Sequence, residues 1–201
     1  MGGNKLKLIK MSEHKELRIG LIGCGFMGRA HSNAYNRLSN FFPDLKFKPV
    51  LKAVCSRSPD KVKAFAEQWN YESVETDWRS IVNRNDIDAI DICTPNDTHA
   101  EIAIAAAEAG KMILCEKPLA MNARQAEEMA AACRQHNVQL MDGTMWVHHP
   151  RSQEMWQTIQ DGTLGDLRRV TAAWKLAIGS TSSIGASSRY DIRLCRAIVP
   201  R

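Results

Sequence analysis

The tripeptide Glu116-Lys117-Pro118 follows an apolar strand candidate, Met112-Ile113-Leu114-Cys115, and lies downstream of a glycine cluster, Gly23-Cys24-Gly25-Phe26-Met27-Gly28. In an open parallel sheet, ligands settle in the crevice at the carboxyl ends of the strands, so a lysine there can reach the reactive end of a bound dinucleotide. In a hydride-transfer site a cation beside the carbinol oxygen stabilises developing alkoxide charge and helps relay its proton. The following proline restricts Lys117 to extended backbone, which aims the side chain. A surface lysine, or an ion pair with Glu116, are plainer readings of the same residue.

The glycine spacing alone is a weak signal, since it also covers phosphates in kinases. Here it follows a strand candidate and opens a helix. Gly23 then makes the tight turn, Gly25 lets backbone approach a pyrophosphate, and Gly28 lets helix and strand close on each other. Phe26 and Met27 begin the helix, whose amino end offers N–H groups and positive dipole to the phosphates. Cofactor type is read at the end of the second strand, where Cys55-Ser56-Arg57-Ser58 has no acid until Asp60. An acid would accept from both ribose hydroxyls of NAD, whereas an arginine pairs with the 2′-phosphate of NADP. Ser56 and Arg57 therefore tilt the choice to NADP over NAD, although Arg57 can stack on adenine and accept either. The loop Thr94-Pro95-Asn96-Asp97-Thr98-His99 lies at the same sheet edge. Asn96 is its better candidate; His99 is either a cofactor contact or a helix-start residue.

These residues need a scaffold, and from Leu17 onward strand-like and helix-like segments alternate, the pattern of a parallel sheet with crossover helices. Strands are expected at 17–22, 50–55, near 73–75, at 89–93, at 112–116 and at 138–141. Helices are expected at 26 to about 37, from Pro59 through Trp69 with Ser58 as cap, from Asp77 through Val82, over 98–109 before Gly110, and from Asn122 to about His136, where Asn122 and Gln125 have capping-box spacing. The fold class is α/β, a doubly wound parallel sheet with only the start of a second α+β domain. A helix over 150–160 and a strand over 167–174 belong to that start. The domain reading is a basic leader without order at 1–16, a dinucleotide-binding domain at 17–146, the beginning of a second domain at 147–175, and a small-polar tail without order at 176–201.

The chain of 201 residues suits one well-buried core and a remainder. Its net charge of +5 arises from the ends: five basic and two acidic residues lie in 1–18, four arginines and one aspartate in 176–201, leaving about −1 for the body. No basic face is left for nucleic acid. No apolar run reaches bilayer length and the start lacks a leader pattern, so a cytoplasmic protein is expected. The six cysteines show no metal-ligand spacing and read as reduced, mostly buried thiols, with no metal site.

Taken in order, Gly23 to Gly28, Thr94-Pro95-Asn96 followed by His99, and Glu116-Lys117-Pro118 resemble the Gfo/Idh/MocA oxidoreductase family, over about Leu17 to Trp174. The resemblance implies that Glu116 binds the nicotinamide ribose, that Lys117 is catalytic, and that the reaction is NAD(P)-dependent hydride transfer from a sugar or polyol alcohol. It also implies that Met141 to Pro150 crosses into the second domain, with Trp146 facing substrate. Family members continue into a large open sheet that forms the sugar pocket and dimerises, and often supply an Asp-x-x-x-His pair. This chain has no histidine after His149 and no such pair. The expectation is therefore a cofactor-binding chain of impaired turnover, able to form a homo-oligomer through its partial second domain. The alternatives are a non-catalytic dinucleotide-binding module or truncated product, and an interaction protein pairing through 167–174.

Overall fold

A computed structural model describes residues 15–175 and 187–192, with side chains placed through Arg169. The chain divides into two compact units between Thr144 and Met145. The first contains six strands, β1 (Lys15–Ile22), β2 (Phe47–Cys55), β3 (Ser73–Glu75), β4 (Ala89–Ile92), β5 (Met112–Cys115) and β6 (Leu140–Asp142). All pair in parallel in the order β3-β2-β1-β4-β5-β6, the doubly wound arrangement expected from the alternation of segments. The crossover helices are α1 (Phe26–Phe41), α2 (Pro59–Trp69), α3 (Trp78–Val82), α4 (His99–Glu108) and α5 (Ala123–Gln135).

Two apolar layers follow from the period-two alternation of strand side chains. Ile19 and Leu21 of β1 and Val54 of β2 pack with Val62, Phe65 and Ala66 of α2 on one face. Ile22, Ala53 and Cys55 pack on the other, with Ile81, Ile102 and Met129 from α3, α4 and α5. The alanines of α4 at 100, 103, 106 and 107 are buried in this second layer. Side chains that small let α4 lie close to both the sheet and α5, which is why an alanine-rich segment is a core helix here.

Several ends differ from the sequence reading, each for a local reason. Ser58 stands at the start of α2, but its side chain makes no capping bond; Pro59 at the first turn already removes one of the N–H groups that would need it. Asp77 does cap, accepting from the Arg79 N–H at 3.1 Å. Asn122 accepts from the Gln125 N–H at 3.0 Å, while Gln125 returns its bond to Met121 rather than to Asn122. β6 starts two residues late, because Asn137 adopts φ 53° and the Val138 N–H turns back to Cys133 O to close α5. The residues Lys15 and Glu16, read as leader, belong to β1.

The second unit holds α6 (Pro150–Gln160), capped by His149 accepting from the Arg151 N–H at 3.2 Å. It also holds β7 (Val170–Lys175) and β8 (Ser187–Ile192), paired antiparallel. Residues 187–192 are thus a strand where a tail without order was expected; the rest of 176–201, and 1–14, lie outside the described residues. Among the described residues no helix is long and apolar enough to cross a membrane.

Candidate dinucleotide site

β1 and β4 are neighbours in the sheet, yet α1 leads away from β1 towards β2 and the chain leaves β4 towards β5. A crevice opens between such diverging connections. Its floor is stitched by bonds that carry the sheet ladder one residue past the strand ends: Gly23 N–H to Cys55 O at 2.9 Å, Cys93 N–H to Ile22 O at 2.8 Å, and Glu116 N–H to Ile92 O at 2.9 Å. The row Gly23, Cys93, Glu116 therefore marks one edge.

The three glycines meet three different constraints there. Gly23 has φ +113°, and a Cβ on it would stand 2.5 Å from Cys93 O, so the turn passes against the β4 loop with no room for a side chain. A Cβ on Gly28 would stand 2.2 Å from Gly23 O, so α1 starts in contact with the turn that precedes it. Gly25 has nothing within 4 Å of the Cβ position. Its bareness serves no packing need of the protein and leaves its face open to a ligand. No side chain caps α1 and no acid lies in its first turn. The first helical bond runs from Arg29 N–H to Gly25 O at 3.2 Å, so the N–H groups of Phe26, Met27 and Gly28 have no helical acceptor. A backbone cradle with free amides and positive helix dipole fits an anionic diphosphate.

The crevice is a cavity of about 520 Å³. It brings together Gly23, Gly25, Ser56, Arg57, Thr94 and Pro95 of the expected residues, from three separate loops. It adds Thr76, Asp77, Trp78 and Arg79, which sequence reading missed. Their signal was available: they follow β3, and any loop after a strand of this sheet opens on the same edge. The Arg79 guanidinium lies over the Trp78 ring at 4.2 Å and pairs with Asp77 and Glu101 at 3.5 and 2.6 Å, so this end is flat and aromatic with its arginine charge already balanced. Phe26, Met27, Gly28, Asn96, His99, Glu116 and Lys117 do not line the cavity itself. Asn96 opens the short 3-10 turn before α4.

His99 is 1% exposed. Its ring nitrogens contact Thr94 O at 2.9 Å and Pro118 O at 3.1 Å, so it bridges the β4 loop and the loop after β5 from behind. It acts on the site through those two backbones. Lys117 is exposed, and its side chain makes no ion pair among the described residues. The ion pair with Glu116 weighed from sequence is absent because that carboxylate faces elsewhere: Oε2 accepts the Lys117 backbone N–H at 3.0 Å and Oε1 meets His31 Nε2 at 3.1 Å.

His31, one turn beyond Gly28 on α1, was also missed. Its Nδ1 meets the Asp91 carboxylate at 2.9 Å, and Tyr35 donates to the same group at 2.8 Å. The available signals were an acid in the middle of the apolar strand Ala89-Ile90-Asp91-Ile92 and a histidine three residues after the last glycine of the cluster. Burial opposes a charge on His31, but the bonds and charges of Asp91 and Glu116 prevail and raise its pKa above the ordinary histidine value. The donor atoms of His31, Asp91 and Cys93 lie within 4.8 Å of one another. Within that cluster His31 Nδ1 meets Asp91 at 2.9 Å and the Cys93 thiol lies 3.5 Å from both Asp91 Oδ1 and His31 Nδ1, and burial first and the Asp91 charge second push that thiol upward. Burial pushes Cys55 and Cys115 up to about 12, and Cys24 upward too, so these are packing thiols rather than nucleophiles.

Residues 17–144 match the family described as oxidoreductase, NAD-binding Rossmann fold, Gfo/Idh/MocA. The chain is 41% identical to levoglucosan dehydrogenase of Pseudarthrobacter phenanthrenivorans over 151 residues, 75% of this chain and 39% of that protein. It is 32% identical to inositol 2-dehydrogenase of Rhizobium meliloti over 155 residues, 77% of this chain and 44% of that protein. Among solved structures, levoglucosan dehydrogenase in complex with NADH and levoglucosan superposes with a TM-score of 0.72 at 39% identity, covering 79% of this chain and 43% of that one. The Kribbella flavida oxidoreductase domain protein superposes with a TM-score of 0.74 at 41% identity, covering 80% and 44%. The chain thus spans about half or less of the length of these relatives.

Proposed function

Because the chain belongs to the Gfo/Idh/MocA oxidoreductase family with its NAD-binding Rossmann fold, we propose that it binds a nicotinamide dinucleotide in the β1–β4 crevice and serves oxidation of a sugar or polyol alcohol. The observation that carries this reading is Gly25, bare towards the cavity while its neighbours Gly23 and Gly28 are glycine for close backbone contact. In this reading the pyrophosphate would lie on the Gly23–Gly28 turn and the α1 amides. The adenosine end would lie between Arg57 and Trp78, and the reactive end would extend along the strand edge towards Glu116 and Lys117. The bound dinucleotide would supply the hydride acceptor.

Lys117 has the chemistry for the remaining step. The Lys117 amino group, unpaired among the described residues, could in its unprotonated form accept the carbinol O–H proton as hydride leaves the carbon, and the ammonium so formed could hydrogen-bond the new carbonyl oxygen and pass the proton to solvent. A substrate of the sugar or polyol class is supported by the names of the relatives, levoglucosan and inositol dehydrogenases. NADP is favoured over NAD by Arg57 and by the lack of an acid at the end of β2; the relatives in complex with NADH support NAD as an acceptable cofactor.

A second reading, dinucleotide binding with weak turnover, is supported by the place of Lys117 and Glu116, which are not among the residues lining the cavity. Titration of NADH and NADPH by nicotinamide fluorescence, followed by a screen of polyols and anhydrosugars for NAD(P) reduction, separates the two. The dehydrogenase reading expects turnover that Lys117→Ala lowers about 10²–10⁴-fold while nucleotide affinity stays within about threefold. Binding without turnover on any alcohol supports the second reading, and failure to bind either nucleotide refutes both.

A further inference from the structure

We propose that His31 is a positioning residue for Lys117: by holding the Asp91 and Glu116 carboxylates on its two ring nitrogens, it fixes the Glu116 side chain that in turn holds the Lys117 backbone. The functional meaning of this clamp rests on the dinucleotide reading above, but its geometry does not.

The groups facing His31 come from three elements. From β4 comes Asp91, with Oδ1 and Oδ2 at 3.0 and 2.9 Å from Nδ1, and from the residue just after that strand the Cys93 thiol at 3.5 Å. From the end of β5 comes Glu116, with Cys115 beside it as an uncharged neighbour. From α1 itself comes Tyr35, whose hydroxyl donates to Asp91 and is held protonated by burial first and by the Asp91 charge second. An ionised carboxylate only accepts, and a neutral imidazole has one N–H. Two carboxylates on opposite ring nitrogens are both satisfied only by the doubly protonated ring, which also offsets one of the two negative charges. Both side chains are almost fully buried, at 1% and 5% exposure, where an unpartnered carboxylate is costly.

The two ends of the clamp differ in what they depend on. Asp91 keeps Tyr35 as a second donor if His31 is removed. Glu116 has the Lys117 N–H on one oxygen and His31 on the other, with Gly143 so close that an added Cβ would stand 2.8 Å from Oε1. His31 is therefore the side-chain donor that sets the rotation of this carboxylate, and the carboxylate sets the Lys117 amide. α1 begins at the glycine cradle and carries His31 one turn later, so the same helix that offers its amides to the cavity also locks the β5 turn.

The test uses the full chain labelled with ¹⁵N. In the ligand-free protein, the Lys117 amide resonance should move with pH at the same midpoint as the His31 ring, above the ordinary histidine value. Substitution separates the two ends. His31→Gln keeps a donor near the Nε2 position and should retain NADH affinity within about twofold. His31→Asn keeps one near Nδ1, reaches Asp91 but not Glu116, and should shift the Lys117 amide and, through the released Glu116 carboxylate at the nicotinamide end rather than through the Lys117 side chain, weaken NADH about tenfold, a loss of about 1.4 kcal/mol. ADP-ribose, which lacks nicotinamide, should bind wild type and both variants alike. A Lys117 amide that stays flat while His31 titrates, or equal losses in the Gln and Asn variants, overturns the proposal. If wild type binds neither NADH nor ADP-ribose, the dinucleotide reading fails, and the amide titration still decides the clamp.

Discussion

Substituting Gly25 and Gly28 by alanine should separate binding from folding within four residues. At Gly28 the new Cβ would stand 2.2 Å from the Gly23 carbonyl oxygen. That partner is backbone and cannot rotate away, so α1 must shift by about 1 Å from the turn, an overpacking that costs about 3 kcal/mol at the upper end of the usual range. Alanine recovers about 1 kcal/mol as the better helix former. The net loss of about 2 kcal/mol should lower the melting temperature by roughly 4–8 °C for a protein of this size. At Gly25 the Cβ meets nothing within 4 Å, and its φ of −78° and ψ of −162° suit alanine. Gly25→Ala should therefore melt at the wild-type temperature or slightly above it, because alanine restricts the unfolded chain by about 0.4–1 kcal/mol. The same methyl would stand where a pyrophosphate must approach, so NADH and ADP-ribose should both weaken at least about tenfold, or 1.4 kcal/mol. Thermal melting by circular dichroism and fluorescence titration read the two effects. Wild-type affinity in Gly25→Ala would refute the cradle, and wild-type melting in Gly28→Ala would refute the contact between α1 and the turn.

Arg57→Ala should weaken NADPH about tenfold and change NADH by less than about threefold, measured by the same titration; equal losses would make Arg57 an adenine contact rather than a phosphate partner. Folding stability should also respond to pH through His31. Its folded pKa is raised, so its contribution is fully present below the unfolded value of about 6.5 and is lost as pH rises through the folded value. Urea midpoints should fall across that window in wild type, and the difference between wild type and His31→Gln should shrink as pH rises. A constant difference would contradict the clamp's charge.

Local chemistry made part of the site readable in advance. Gly23, Gly25 and Gly28 announce their turn because the constraint on each lies within a few residues, and Thr94-Pro95 and Glu116-Lys117-Pro118 announce strand ends by following short apolar runs. The β3 loop was within the same logic, yet Trp78 and Arg79 read as the start of a helix until the sheet order placed β3 beside β2. His99 read either as a cofactor contact or as a helix-start residue; it opens α4 and is buried between two carbonyls. Nothing within its own segment distinguishes these outcomes, because its second partner, Pro118 O, is 19 residues away.

By itself the sequence determined the order of strands and helices, since period-two and period-3.6 apolar patterns and capping residues act over a turn or two of chain. It also determined the cradle, since backbone conformation at a glycine is a local property. Only the tertiary structure decided which charges meet. His31 reaches Asp91 across 60 residues and Glu116 across 85, and it does so because β1, β4 and β5 lie side by side with α1 above their carboxyl ends. Electrostatic energy depends on distance in space and on the exclusion of water, and neither is written in the spacing of residues along the chain.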